Sequence, residues 1–161
     1  MTLEAINSLV ENKIKISSKK KYVVIIGRNP SNGARSPKLW NAAFKKHKID
    51  MAMYPLDVKK KNLNKLIKKL DSNMNFLGGS IAVPYKEDIF KILGKKIDKI
   101  SYKIGSVNCL YRDKKTKSIF GFNTDGYGAL ECLKGNVRNL QKKNIIIFGL
   151  GGAGKSVVTI L

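Results

Sequence analysis

Gly78-Gly79-Ser80-Ile81-Ala82-Val83-Pro84-Tyr85-Lys86 is the stretch that decides how this chain folds. Ile81 and Val83 are β-branched and predict a strand, while Pro84 cannot sit inside a central strand and ends it. Residues 86–93, Lys-Glu-Asp-Ile-Phe-Lys-Ile-Leu, predict a short helix with acids in its first turn. Lys86 therefore falls just past a strand end and at a helix start, the place where parallel sheets hold their ligands. Taken alone, the stretch fits a solvated surface lysine better than a site residue, because lysine is abundant here.

Working outward, the pattern repeats. Tyr22–Ile26 is an apolar run closed by Gly27, a buried strand. A turn-rich loop, 28–35, leads to Ser36-Pro37, where serine as cap and proline in the first turn predict a helix with Leu39, Trp40, Ala43 and Phe44 on one face. Met51–Val58 predicts a second strand, and Leu63, Leu66, Ile67 and Leu70 predict a second helix over 62–70. Strand, helix, strand, helix, strand, helix argues for an α/β fold built on a parallel-dominated sheet. Beyond it, Ile97–Ile104 predicts a helical turn or two. Val107–Tyr111 and Ser118–Phe122 predict two strands joined by a polar turn. Upstream, Leu3, Ile6, Leu9 and Val10 fit one face of a short helix, and residues 12–21 read as a loose linker.

Composition narrows the function classes. With 161 residues and 43% hydrophobic content, the chain is long enough for one good core. No apolar run reaches the roughly 18 residues of a membrane span, and Glu4 and Glu11 stand where a signal peptide would be basic and then apolar. A soluble, cytoplasmic protein is expected. Cys109 and Cys132 lack metal-ligand spacing and there is one histidine, so no metal site is expected and both thiols should be ordinary and half-buried. The formal charge of +21 raises nucleic acid as a partner. The excess is nearly all lysine in short scattered clusters, whereas sequence-reading sites favour arginine, so a small-molecule partner is the better expectation.

Asn144–Phe148 predicts a strand running into Gly149-Leu150-Gly151-Gly152-Ala153-Gly154-Lys155-Ser156. Glycines 149, 151 and 154 satisfy the dinucleotide fingerprint, in which a strand turns into a helix whose amides hold a pyrophosphate. The same residues, through Gly154-Lys155-Ser156, satisfy a nucleoside-triphosphate loop. Spacing does not choose between them. Position favours the dinucleotide, because a complete α/β unit precedes the loop.

Four segments in order resemble the shikimate dehydrogenase family: Ser36-Pro37 with Asn41-Ala42-Ala43-Phe44, then Val83-Pro84-Tyr85-Lys86, then Ile104-Gly105-Ser106-Val107-Asn108, then Asn123-Thr124-Asp125-Gly126 before the glycine loop. The resemblance covers residues 20–161. It implies NADP-dependent interconversion of 3-dehydroshikimate and shikimate, with Lys86 and Asp125 as the catalytic pair. It also implies Ser36, Ser80 and Asn108 at the substrate, and Gly149, Gly151, Gly152, Ala153 and Gly154 at the cofactor. The implied division is an extension over 1–19, a substrate-binding catalytic domain over 20–122, and over 123–161 a connecting helix with the first strand, loop and helix of a Rossmann-type domain. Hydride arriving at a ketone carbon leaves charge on oxygen, so a cation aimed at that oxygen and held by a carboxylate suits the reaction.

Three positions depart from the family pattern. Ala34 and Ala82 replace a serine and a threonine, and Ser80 replaces an asparagine, so polar contacts to substrate are lost or shortened and a related polyhydroxy cyclic acid is an alternative substrate. As written, the chain also supplies only the opening of a dinucleotide domain, and it is expected to bind NADP weakly and to be inactive alone.

Overall fold

The computed structural model describes residues 4–16 and 20–161. Five strands form one sheet: β1 (Lys21–Gly27), β2 (Met51–Asp57), β3 (Phe76–Ile81), β4 (Cys109–Arg112) and β5 (Ile119–Phe122), in the order β2-β1-β3-β4-β5. β1 pairs in parallel with β2 and with β3, placing Val24 opposite Tyr54 on one side and Gly79 on the other. β4 runs antiparallel to both β3 and β5, so four of the five strands point one way. The mixed α/β architecture with a mostly parallel sheet is the one the alternating pattern predicts. Pro55 is tolerated in β2 because that strand lies at the sheet edge. At Gly79 a Cβ would stand 1.9 Å from the Val24 carbonyl oxygen, which explains a glycine in the middle of a strand.

Side chains alternate across β1. Tyr22, Val24 and Ile26 enter the larger core, under α1 (Glu4–Asn7), α3 (Leu63–Asp71) and α4 (Lys86–Leu93). Ile25 joins Phe44 and Met53 under α2 (Ser36–Lys46), with Ala34 and Ala82 packed against them. The Asn41 side chain fastens α2 to the sheet edge: its Oδ1 accepts from the Met53 amide at 2.7 Å and its Nδ2 donates to the Met53 carbonyl at 3.1 Å. After β3 and α4 come α5 (Lys99–Ile104), whose first turn is capped by the Asp98 carboxylate, the β4–β5 hairpin, α6 (Asp125–Asn136) and α7 (Gly152–Ile160).

Several expectations need correction. Ile14 and Ile16 are buried in the main core and Asn12 bonds the Pro55 carbonyl and the Asp57 amide, so residues 12–16 are pinned to the sheet and do not form a loose linker. Leu3 and residues 17–19 lie outside the described residues. Ser36 is the first residue of α2 and not its cap; Arg35 takes that position without a side-chain bond. Only Phe44 of the expected α2 face is buried, whereas Leu39 and Trp40 are exposed. β3 stops at Ile81, two residues before Val83, which is exposed. Cys109 is half-buried as expected, but Cys132 is exposed on α6. Residues 144–148 do not form a strand: none of the five strands lies beside them, so their backbone has no ladder to join, and Ile146 and Phe148 face solvent.

Candidate functional site

Lys86 opens α4, and its position is fixed from below. The residue before it, Tyr85, is buried and donates its hydroxyl to the Val58 carbonyl at 2.6 Å, tying the start of the helix to the end of β2. The Lys86 Nζ stands 2.5 Å from Asp125 Oδ2, in a pair with side chains only 17% and 23% exposed. The other carboxylate oxygen, Oδ1, accepts from Asn108 Nδ2 at 2.7 Å. Asn108 is itself oriented by Thr124, whose amide donates to Oδ1 at 3.0 Å and whose hydroxyl accepts from Nδ2 at 3.0 Å. Three residues spread over 40 positions of sequence thus form one hydrogen-bonded group. Each is delivered by a segment end: the start of α4, the residue before β4, and the first residue of α6.

Asn123, fully buried, supports this group. Its Oδ1 accepts from the Asp125 amide at 3.0 Å, and its Nδ2 donates to the Ser106 carbonyl at 3.1 Å and hydroxyl at 2.8 Å. Cys109 lies next to Asn108 with its thiol 3.9 Å from Thr124 Oγ1. Burial pushes that thiol up from its ordinary value, so it is kept as a neutral, weakly reactive group.

The glycine loop meets the same place. α7 packs on α6 and α5, and a cleft of about 430 Å³ opens between Val83, Pro84, Lys86 and Glu87 on one side and the loop, Gly149 and Gly151–Gly154, on the other. Gly149 has φ +92, and a Cβ at Gly154 would stand 2.1 Å from the Gly149 carbonyl oxygen, so the turn into α7 closes only with glycine at both ends. Beside Gly149 and Gly151 there is open space, and the N-terminal end of α7, which carries the unpartnered amides and the positive dipole end of the helix, lines the cleft. These features fit a pyrophosphate. Lys155, which a triphosphate loop would aim at terminal phosphates, instead pairs with Glu87 at 2.8 Å.

Of the other residues singled out in the sequence, Ser36 and Ser80 make no hydrogen bond to the Lys86–Asp125 pair. Ser80 lies in β3 and lines a second, apolar pocket of about 320 Å³ with Trp40, Cys109, Tyr111 and Phe122. Arg28 and Arg35 are exposed. Sequence reasoning gave no role to Tyr85, Ser106, Asn123 or Thr124; the signal was that three of these polar residues flank Asn108 and Asp125 in otherwise apolar surroundings. Among the described residues, no helix is long and apolar enough to cross a membrane.

An ammonium held by a carboxylate at the mouth of a cleft that a glycine loop also borders is equipped to stabilise charge developing on an oxygen placed there. Comparison with known proteins points the same way. Residues 25–110 match the family described as the shikimate dehydrogenase substrate binding domain. A shikimate dehydrogenase (NADP(+)) of Methanococcus maripaludis is 38% identical over 142 residues, which cover 88% of this chain and 49% of the relative. Among solved structures, a shikimate dehydrogenase in complex with NADP+ superposes with a TM-score of 0.78 at 33% identity, over 89% of this chain and 48% of that one. The Thermus thermophilus shikimate 5-dehydrogenase in complex with shikimate gives 0.75 at 26% identity, over 87% and 51%. The chain spans about half the length of the relatives it matches. With residues 25–110 matching the family and its mostly parallel sheet shared with the solved structures, this chain belongs to the shikimate dehydrogenase substrate-binding domain family.

Proposed function

We propose that this chain carries the substrate site and catalytic pair of an NADP-dependent shikimate dehydrogenase, acting on shikimate and 3-dehydroshikimate or on a related polyhydroxy cyclic acid, in the cytoplasm. The observation that carries the reading is the convergence of Lys86, Asp125 and Asn108 beside the glycine loop. In this reading residues 20–122 are the catalytic domain and 123–161 the approach to a cofactor domain, and the described part of the N-terminal extension serves as a brace for the core.

When bound, NADPH supplies the hydride. Gly149, Gly151, Gly152, Ala153 and Gly154 would hold its pyrophosphate through their amides and the α7 dipole. Lys86 stabilises the oxygen that gains charge, and Asp125 keeps the ammonium aimed. Asn108 fixes Asp125 through Nδ2 and offers its Oδ1 as an acceptor to a substrate hydroxyl. By the family pattern Ser36 and Ser80 are assigned to substrate, with Ala34 and Ala82 leaving fewer polar partners than that pattern provides. A nucleic-acid role draws no support from the fold: lysines occupy α2 on one sheet face and α3 and α4 on the other, so they are not gathered on a single face.

The test joins this chain to the second half of the Methanococcus maripaludis relative and follows NADP reduction with shikimate and with quinate. Turnover with either acid that Lys86→Ala abolishes supports the proposal. Equal turnover with and without Lys86 refutes it.

A further inference from the structure

Two buried polar residues, Ser106 and Asn123, link the catalytic pair to the glycine loop. Ser106 is fully buried; its hydroxyl accepts from Asn123 Nδ2 at 2.8 Å and donates to the Gly152 carbonyl at 2.9 Å. Asn123 in turn accepts from the Asp125 amide. The chain of bonds therefore runs from the Asp125 backbone through Asn123 and Ser106 to the first residue of α7. At its far end the loop sits against the lysine as well, since a Cβ at Gly152 would come within 3.2 Å of both the Lys86 Cβ and the Ser106 side chain. Another buried hydroxyl, that of Ser156, accepts from the Gly126 amide at 2.8 Å and fastens α7 to α6 without touching this route.

We infer that Ser106 is a positioning residue: with Asn123 it sets the register of the glycine loop against the Lys86–Asp125 pair, so that loop and pair respond as one unit. The inference rests on the proposed dehydrogenase reading. A serine hydroxyl is suited to the task because it accepts and donates at once, and inside a protein such bonds are strong enough to transmit a displacement of either end. Packing alone does not require it, because alanine would fill nearly the same space.

The experiment uses the 161-residue chain labelled with nitrogen-15, as wild type, Ser106→Ala and Ser156→Ala. In Ser106→Ala, amide exchange is expected to rise about tenfold both at Asp125 and at Lys155, the first hydrogen-bonded amide of α7, with β1–β3 unchanged, as the loss of one buried hydrogen bond implies. Ser156→Ala is expected to raise exchange in α7 and at Gly126 but not at Asp125. Adding NADP at millimolar concentration should shift the signals of the glycine loop and of Asp125 in the wild type, and only those of the loop in Ser106→Ala. Exchange at Asp125 that stays at the wild-type rate in Ser106→Ala, or that rises equally throughout the sheet, overturns the inference. If NADP moves no signal in any variant, the cofactor assignment fails while the exchange rates still decide the coupling.

Discussion

Replacing Gly126 with alanine sets helix propensity against packing, and the geometry says which wins. Gly126 is the second residue of α6 and faces α7 at its closest approach. A Cβ there would lie 2.2 Å from the Ser156 carbonyl oxygen and 2.7 Å from the Ile160 Cγ1. An ordinary carbon–oxygen contact is about 3.3 Å or more, so α7 has to retreat by roughly 1 Å. Overpacking of this kind costs about 1–3 kcal/mol, and the bond from the Gly126 amide to Ser156 Oγ, worth about 1 kcal/mol, is broken by the same movement. Against this, alanine gains at most about 1 kcal/mol of helix propensity over glycine. The net loss of about 1–3 kcal/mol falls on the docking of α7, not on the sheet. Amide exchange over 155–160 is therefore expected to accelerate by about 5- to 150-fold, with β1–β3 unchanged. Unchanged or slower exchange in α7 would show that the helices do not meet as described.

Three further outcomes follow from buried polar groups. Arg112 places its guanidinium, 6% exposed, against the carbonyls of Leu70, Asp71, Asn73, Phe76 and Lys117, stapling the end of α3 to β3 and the β4–β5 turn; Arg112→Met is expected to lower unfolding stability by about 3–5 kcal/mol, and a urea midpoint within error of wild type would contradict this. Tyr85→Phe strands the Val58 carbonyl and should cost about 1–2 kcal/mol in the same assay; no loss would mean that the hydroxyl does not hold the start of α4. Burial pushes the Tyr22 hydroxyl up to about 12, against the opposing Arg112 charge and the Asn73 bond. Because the folded value lies above the unfolded one near 10, the stability Tyr22 contributes is intact below about pH 10 and is lost as pH rises through about 12. Urea unfolding at pH 9 and pH 11.5 should show a drop that Tyr22→Phe reduces, and equal drops in the two proteins would refute the assignment.

The fold was legible wherever the apolar pattern was local. The runs at 22–26 and 51–58 and the helical spacing of Leu63, Leu66, Ile67 and Leu70 each announce an element, and Pro84 with Lys86-Glu87-Asp88 places the start of α4 at the residue observed. The pattern failed where partners decide. Residues 144–148 are as apolar as β1, yet a strand exists only beside another strand. Ile14 and Ile16 sit in a polar context that hides their burial, because the core that buries them is assembled from segments far along the chain. Within the site, the grouping of Lys86, Asp125 and Asn108 was foreseen through the family motif. Tyr85 and Ser106 were not, since a hydroxyl bonded to a distant carbonyl leaves no local trace.

Titrating shikimate into the nitrogen-15-labelled chain, with Lys86→Ala beside it, tests the central claim most directly. If the Lys86–Asp125–Asn108 group is the substrate site, the amide signals of Lys86, Asn108 and Asp125 and the Asn108 side-chain signals shift saturably in the wild type, and the shifts are lost or weakened at least tenfold in Lys86→Ala. Saturable shifts centred elsewhere, or shifts that survive unchanged without Lys86, would contradict the account.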